Sequence, residues 1–573
     1  MRRFLLQNSQ IARALETIAT LMEIKDEPYY RVLGYRRAAE SVVALGRPVH
    51  EIEGLKTLPH VGSTTAGVIR DLAEDRTPQI LADLLEEVPS GLVEVTRLPG
   101  VGPRTAGRLW RELGITSVEE LGELQEGTLA SLKGFGKKSE ERILRAARAY
   151  NPRERRMLLD EATALGEHLL GFLRSHPACE RAEIAGSLRR GKETIGDLDL
   201  VAASRDQKAL ADAFAEAPFV DEILAHGPMK VFVKCGGVEV DLRIVAPEEF
   251  GSLLHHFTGG QAHNIALRER AVKMGLNISE YGLAKAGTGR YEPVATEEEL
   301  YSRLGLAYIP PELREDTGEL HAAEKGELPD LIEVSDVRGD LHVHTNWSDG
   351  RETIETMAEA AIALGHEYLV FCDHSQSLKV ANGLSPARLK EKLKAVRAAD
   401  EKYPEIRLLC GSEVDILRDG ALDYEDGLLA ELDFVVASVH TSFRMGEEAM
   451  TERIIRAMNS PYVRTIGHPT GRILNRRDPY AVDVSRLIRE AKSTNTALEL
   501  NSYPDRLDLA VPYVREAINA GVRITIDTDA HDVTALSFIK FGVTQARRAW
   551  VEKASVINCL PREEFEGYLT RGT

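Results

Sequence analysis

Hydrophobic residues change their spacing along this chain, and the changes divide it. Up to about residue 150 the apolar positions recur at three- and four-residue intervals, as in IARALETIATLM, which predicts amphipathic helices. Three stretches repeat one design: LPHVGSTTAGVIRDL, LPGVGPRTAGRLWREL and LKGFGKKSEERILRAA. In each, an apolar residue leads into a tight turn and then an amphipathic helix, the sequence form of a helix-hairpin-helix. Gly62, Gly100, Gly102, Gly134 and Gly136 let the backbone come close to a ligand, and the N–H groups opening the next helix suit a phosphate. Such contacts fix position on a nucleic-acid backbone without reading its bases. One copy reads as a plain helical corner; three copies favour backbone binding. His60 stands where the other copies have Gly100 and Gly134, which predicts a less regular first turn.

From about residue 180 the period shortens to two. ERAEIAGSLRRG, GDLDLVAAS, MKVFVKC and VEVDLRIVA read as short strands. Helical spacing returns from about 249 to 305. The stretch AYIPPELREDTGELHAAEKGELPDLIE then breaks all periodicity with paired prolines and dense charge, and a linker is expected at 316–336. Beyond it strands and helices alternate to the C-terminus, which predicts a parallel α/β unit and makes the chain a multidomain α/β protein.

Alternation places the first candidate chemistry. In GDLDLV, Asp197 and Asp199 share one strand face while Leu198 and Leu200 turn to the core; in VEVDLRIV, Asp241 lies opposite Val240 and Leu242. If the two strands are neighbours, three carboxylates converge and repel unless cations lie between them. Oxygen ligands suit Mg²⁺ or Mn²⁺. A DxD pair alone is more often a polar strand face. Here it is flanked by Gly186-Ser187-Leu188-Arg189-Arg190-Gly191, a small-residue turn rich in donors and suited to a triphosphate, and by Phe257-Thr258-Gly259-Gly260 with Asn264 and Arg268.

The second candidate starts at DLHVHTNWSDG. His342 and His344 share a strand face, and Asp349 follows closely. Downstream of 337, seven short apolar runs each end in a possible ligand: DLHVH, YLVFCDH, RLLCGSE, FVVASVH, RTIGH, ALELN and RITIDTDAH. A closed α/β barrel gathers residues from strand C-terminal ends onto one face. Any single histidine is more often a satisfied half-buried side chain; this many at strand ends predicts a cluster. Nitrogen and oxygen donors without thiolate favour Zn²⁺, Mn²⁺ or Fe²⁺.

Composition adds limits. With 43% hydrophobic and 28% charged residues the chain is an ordinary globular one, and no apolar run is long enough for a membrane span. The N-terminal MRRFLLQNSQIARALETIATLM has helical spacing without a small-residue cleavage site and reads as mature helix. Five dispersed cysteines form no CxxC pair, which fits a reducing cytoplasm. The net charge of −18 argues against simple nucleic-acid binding, but residues 1–150 are nearly neutral and the acidity lies downstream.

The order GSLRRG, GDLD, VEVD, FTGG, HN resembles the family X DNA polymerases, the polymerase beta group of nucleotidyltransferases, over about residues 1–315. The resemblance implies that Asp197, Asp199 and Asp241 are catalytic and bind two metals, Mg²⁺ or Mn²⁺, with Asp241 helping to deprotonate the primer hydroxyl. It implies that Ser187, Arg190 and Gly196 contact the nucleotide's triphosphate region, that Phe257, Thr258 and Gly259 face its sugar, that Asn264 meets its base, and that Arg268 touches template. His256 departs from the Tyr of animal relatives. Val68 replaces their Schiff-base lysine, so no lysine-dependent deoxyribose-phosphate lyase is expected there.

The C-terminal half resembles the polymerase and histidinol phosphatase (PHP) domain, a distorted seven-stranded barrel. HVH, CDH, Glu413, SVH, GHP and DAH match its metal motifs in order. By resemblance His342, His344, Asp349, His374, Glu413, His440, His468, Asp529 and His531 hold up to three ions, Zn²⁺ and/or Mn²⁺. Glu499 matches no motif and is set aside.

Together these imply the bacterial DNA polymerase X arrangement: a lyase-like helix-hairpin-helix domain at 1–85, a fingers helix-hairpin-helix domain at 86–150, a mixed-sheet nucleotidyltransferase palm at 151–248, an α+β thumb at 249–315, the linker at 316–336, and a PHP (β/α)7 barrel at 337–573. The expected function is DNA-directed filling of short gaps in repair, with a metal-dependent 3′–5′ exonuclease in the barrel. Expected partners are gapped or primed DNA and deoxynucleoside triphosphates, with no membrane, for a cytoplasmic monomer. Two alternatives stay open: a barrel acting mainly as a 3′-end phosphatase, and a non-catalytic DNA-end scaffold.

Overall fold

The computed structural model describes the chain except residues 1–7, 44–48, 50–51, 53, 59, 75, 90, 97, 99, 126, 133, 150–155, 286–289 and 571–573. The first seven residues of the N-terminal helix expected from the sequence lie outside the described residues. The chain forms two compact units, residues 1–154 and 155–573.

The first unit is helical. Asn8–Ile24 and Tyr29–Val43 pack together, and Ile11, Leu15, Ile18 and Met22, spaced at three and four residues, are fully buried. Helices Ser63–Ala73 and Pro103–Leu113 open directly after Gly62 and Gly102, and Lys137–Ala149 follows Gly136. Gly100 and Gly134 hold φ of 90° and 95° in the turns before these helices, and His60 holds φ 58° at the matching place. The first turn therefore forms like the other two, with a side chain held in the left-handed region. Val68 is buried in this core.

The second unit begins with a mixed five-stranded sheet. Its spatial order is Arg181–Ile184, Leu198–Ala203, Val238–Val245, Lys230–Cys235, Glu222–Gly227. The second and third strands run parallel and the other pairs antiparallel. Helices Phe250–Thr258 and Gln261–Lys273 follow, then a three-stranded antiparallel sheet and helix Glu297–Arg303.

The segment expected as a linker is folded. Glu319–Lys325 is a helix whose Glu319 is fully buried, 2.6 Å from His263 Nδ1, and accepts from the N–H groups of Asp316 and Thr317. Ala323 and Leu331 share a core with Leu267 and Leu300. Prolines and charges erase local periodicity here; the partner that orders the segment lies 56 residues upstream.

Residues 339–527 supply seven parallel strands arranged in sequence order: Gly339–Val343, Tyr368–Phe371, Arg407–Asp415, Phe434–Ser438, Val463–Ile466, Ala497–Asn501 and Ile524–Asp527. They are apolar and buried on both faces, as a parallel sheet wrapped by helices requires. The first and last strands close the ring largely through side chains. Leu341 N donates to Asp527 Oδ1 (2.9 Å), Thr528 donates to Asp340, and His344 N donates to Ala530 O (2.8 Å). The result is a nearly closed barrel.

The barrel and the mixed sheet meet at polar contacts. Arg472 pairs with Glu193 at 2.8 Å, and Gln545 Nε2 donates to Gly191 O at 2.8 Å. Both partners flank the Gly186–Gly191 turn.

A left-handed non-glycine residue costs about 1–2 kcal/mol, partly offset by the freedom glycine gains when unfolded. His60→Gly should therefore stabilise the first hairpin by roughly 0.5–1 kcal/mol, read from the urea midpoint of the N-terminal transition. Unchanged or lower stability would contradict this account of the turn.

Candidate active sites

The first site forms where the parallel strand pair of the mixed sheet ends. Asp199 and Asp241 are direct register partners, flanked by Leu198 opposite Val240 and Leu200 opposite Leu242, all four buried. Register thus sets Asp199 and Asp241 side by side. Burial first, then Asp197 and Asp241, push the Asp199 carboxyl up to about 7. Asp241 accepts from Arg243 Nε at 2.9 Å and lies 3.4 Å from Lys230 Nζ. Asp197 is exposed at the strand's start.

Gly186 sits over this pair with φ 60°, and a Cβ there would fall 1.9 Å from Asp199 Oδ2. Glycine is what lets the donor turn press against the carboxylates. The turn is a short helix, Gly186–Arg189, which carries Ser187. Arg190 Nε donates to Glu315 at 2.8 Å and its Nη1 to Thr258 O at 2.8 Å, while Lys192 reaches the other Glu315 oxygen at 2.9 Å. Arg189 instead ties Thr258 Oγ1 and Glu297, which Arg314 also grips. Phe257 lies under the Arg243 guanidinium (5.0 Å). Asn264 Nδ2 donates to His256 O and Gly259 O, which braces the turn Phe257–Gly259. Arg268 is exposed on the next helix, and Gly196 packs near Arg156.

The second site occupies the mouth of the barrel. Strand C-terminal ends deliver His342 and His344, His374, Glu413, His440, His468, and Asp529 with His531, and the loop after the first strand adds Asp349. All nine residues expected from the sequence converge. Three overlapping groups have ligand atoms within 4.8 Å of one another: His344, Asp349, His374 and His531; His342, His344 and Asp529; His374, Glu413 and His440. Among the described residues, groups this tight occur only in the barrel. Glu413 lies at the centre, 2.9 Å from His374 Nδ1 and from His468 Nε2 and 3.1 Å from His440 Nε2.

These residues fit divalent metal. His342 Nε2, both nitrogens of His344 and His468 Nδ1 are buried without a well-formed hydrogen bond. Buried polar atoms left unpaired cost about 1–3 kcal/mol each, so several aimed at one space mark ligands waiting for a cation. Burial, then the neighbouring imidazoles of His531 and His374, depress His344 to about 4, whereas at His374 the Glu413 and Asp349 carboxylates outweigh burial and raise the ring to about 10, so the imidazoles are not uniformly neutral without a cation. His468, like His344, is depressed to about 4, by burial and then Arg506.

Sequence reasoning missed the residues that orient these ligands. Glu499, set aside earlier, is fully buried 2.6 Å from His342 Nδ1 and also accepts from His468 N. Its place as the one acid in the apolar run ALELN was the available signal. Asp415 lies 2.7 Å from His440 Nδ1. Asp373 accepts from the N–H and hydroxyl of Thr345 and of Ser348, and from buried Lys392, so it anchors the loop that carries Asp349.

Fold and sites together define a polymerase-beta-type core joined to a PHP metal barrel. Family models agree: helix-hairpin-helix domain over residues 6–78, SAM-like helix-hairpin-helix tandem over 92–149, DNA polymerase beta thumb over 253–315, and PHP domain over 340–502. The DNA polymerase/3′-5′ exonuclease PolX of Bacillus subtilis (strain 168) is 39% identical over 570 residues, covering 99% of this chain and 100% of that protein, and this chain belongs to its family. DNA polymerase lambda of Rattus norvegicus is 26% identical across 54% of the chain and 56% of its own length. A probable phosphatase of Acetivibrio thermocellus is 30% identical across 34% of the chain and 78% of its own length.

Removing a buried partner of a ligating histidine typically costs 10–100-fold in metal affinity. Glu499→Gln should weaken Zn²⁺ or Mn²⁺ binding by about that factor in a chelator competition, with the fold intact by circular dichroism. Unaltered affinity would mean that Glu499 does not orient His342.

Proposed function

We propose that this protein is a DNA polymerase that fills short gaps in DNA repair, and that its barrel is a metal-dependent 3′–5′ exonuclease. The observation that carries the reading is the presence of two separated cation-seeking sites in one chain, one lined by carboxylates and one rich in imidazole. Full-length similarity to a DNA polymerase/3′-5′ exonuclease supports it.

In the polymerase site Asp197, Asp199 and Asp241 would hold Mg²⁺ or Mn²⁺, which would supply positive charge against the phosphates. Asp241 accepts the proton of the primer hydroxyl, and Arg243 and Lys230 keep its carboxylate placed. Arg190 and Ser187 receive the triphosphate. Glu315 occupies Arg190 and Lys192 until the nucleotide's own negative charge replaces it. Phe257, Thr258, Gly259 and Asn264 bound the sugar and base, and Arg268 meets the template. The glycine turns of the helical unit hold the DNA backbone.

In the barrel the nine ligands would hold Zn²⁺ or Mn²⁺, up to three ions, which would supply Lewis-acid chemistry for hydrolysis. Glu499 and Asp415 fix the imidazole rings. Both sites act on a 3′ end, but synthesis breaks a triphosphate and removal breaks a diester, so one set of groups does not serve both. Similarity of the barrel to probable phosphatases keeps 3′-phosphate removal as a second reading.

Asp197→Ala with Asp199→Ala should abolish primer extension on gapped DNA while shortening of the primer continues. His344→Ala with His468→Ala should do the reverse. Exonuclease surviving the histidine pair would remove the reaction from the barrel. Release of phosphate from a 3′-phosphate primer, with 3′-hydroxyl primers left untouched, would select the phosphatase reading.

The raised Asp199 carboxyl gives a pH signature. Protons compete with the cation below about 7, so the apparent Mg²⁺ affinity in extension assays should weaken as pH falls from 7 to 6, approaching about tenfold per unit. A Mg²⁺ requirement flat across that range would show that Asp199 is already ionised without metal.

A further inference from the structure

The barrel mouth contains one feature that metal binding leaves unexplained. Its cavity of about 260 Å³ is lined by Asp349, His374, Glu413 and other ligands, but also by Arg506 and by an apolar rim of Leu378, Val380 and Ala381. Guanidinium has no acceptor and cannot ligate a cation. Its charge already faces Asp529, Glu413, Asp505 and Asp508, and its N–H groups at the edge of a cation site suit an anion that bridges the two.

Arg506 is held in place at some cost. Leu507, the next residue, is fully buried with φ 43°, a conformation that bulky side chains avoid and that persists only where surroundings impose it. The surroundings do so. Arg472 Nε donates to Arg506 O at 3.0 Å, and Arg472 also reaches Leu507 O. Asn501 N donates to Asp508 O, and the Asp508 carboxylate accepts from Thr470 N and Oγ1. This rigid loop follows the strand Ala497–Asn501 that carries Glu499, and it leaves Arg506 Nε 3.5 Å from Asp529 Oδ2. That separation exceeds the 2.7–2.9 Å or so of a charge-assisted hydrogen bond, and Asp529 is itself one of the metal-seeking groups.

The apolar rim is also fixed. Residues Lys379–Ala381 form one helical turn after His374, and Asn382 Nδ2 ties its end to Trp347 O and Ser348 O. Leu384 N donates to His374 O at 2.8 Å. The turn buries Ala381 but leaves Val380 93% exposed at the lip of the cavity. An apolar side chain held in water on a rigid turn, beside a phosphate-cleaving centre, suits the flat face of a base.

We propose that this cavity is a single-nucleotide 3′-end site, in which Arg506 binds the non-bridging oxygens of the scissile diester and Val380 supports the terminal base. The cavity, about 260 Å³, is smaller than the about 300–1,000 Å³ of drug-sized ligand sites, a scale that suits one residue of the strand. The inference rests on the exonuclease reading of the barrel and names the part of the substrate that it recognises.

The test uses the full chain with Mn²⁺ and two primers, one ending in an ordinary nucleotide and one in an abasic tetrahydrofuran, both 3′-hydroxyl diesters. Arg506→Met should lower kcat/KM by about 30-fold on both primers, Arg506→Lys should restore part of it, and metal content by mass spectrometry should stay at the wild-type level. The wild-type preference for the base-bearing end should fall about fivefold in Val380→Gly. Calorimetric binding of thymidine 5′-monophosphate to the full chain, which needs no turnover, should weaken at least tenfold in Arg506→Met. Loss of metal in the Arg506 variants, nucleotide binding that they leave unchanged, or an unchanged base preference in Val380→Gly would overturn the proposal. A wild-type chain that binds the nucleotide through Arg506 but shortens neither primer would refute the exonuclease reading and leave the nucleotide site standing.

Discussion

Desolvated imidazole and carboxylate groups crowded into the barrel mouth are the constraint on which the rest of this structure turns. Six of the seven strands bring nine potential ligands to one end of a parallel ring, and several of their ring nitrogens lie buried without a well-formed hydrogen bond. Such atoms destabilise a fold unless something positive satisfies them. The barrel is therefore built for cations before it is built for any reaction. Its ring closure serves that end: Asp340, Asp527 and Thr528 stitch the first strand to the last, and the same strands carry His342, His344, Asp529 and His531 beyond the seam.

The carboxylate site obeys a looser version of the same rule. Asp199 and Asp241 are register partners, yet Asp241 is partnered by Arg243, and Asp197 remains in solvent. It is a site that substrate and cation complete together, whereas the barrel's ligands are already assembled. Arginines of the nearby donor turn are likewise satisfied by Glu297 and Glu315. The turn touches the barrel through Gly191 and Glu193, so the two catalytic parts share a mechanical boundary. Arg472 belongs to both: it pairs with Glu193 on one side and holds the loop of Arg506 on the other.

Much of this was legible in the order of residues because period two and strand-end placement are local signals. GDLD and VEVD predicted a shared face, and HVH, SVH and DAH predicted a common mouth, since alternation and closure leave few other arrangements. Three features were not legible. Glu499 and Asp415 act through imidazoles contributed by other strands: spacing marks Glu499 only as an acid within ALELN, and gives neither residue's role. The segment 316–336 looked like a linker because its order comes from Glu319 meeting His263, a contact without local periodicity. His60 looked like a defect, but one side chain is tolerated in a left-handed turn at modest cost when the hairpin around it is intact.

The central claim is that the barrel's convergent ligands exist to hold several cations at its mouth. Anomalous diffraction from crystals of the full chain grown with Mn²⁺ tests it most directly. The account predicts more than one peak at the strand ends, among His342, His344, Asp349, His374, Glu413, His440, His468, Asp529 and His531. A mouth without any anomalous peak, in crystals that show Mn²⁺ at the Asp197, Asp199 and Asp241 site, would contradict it.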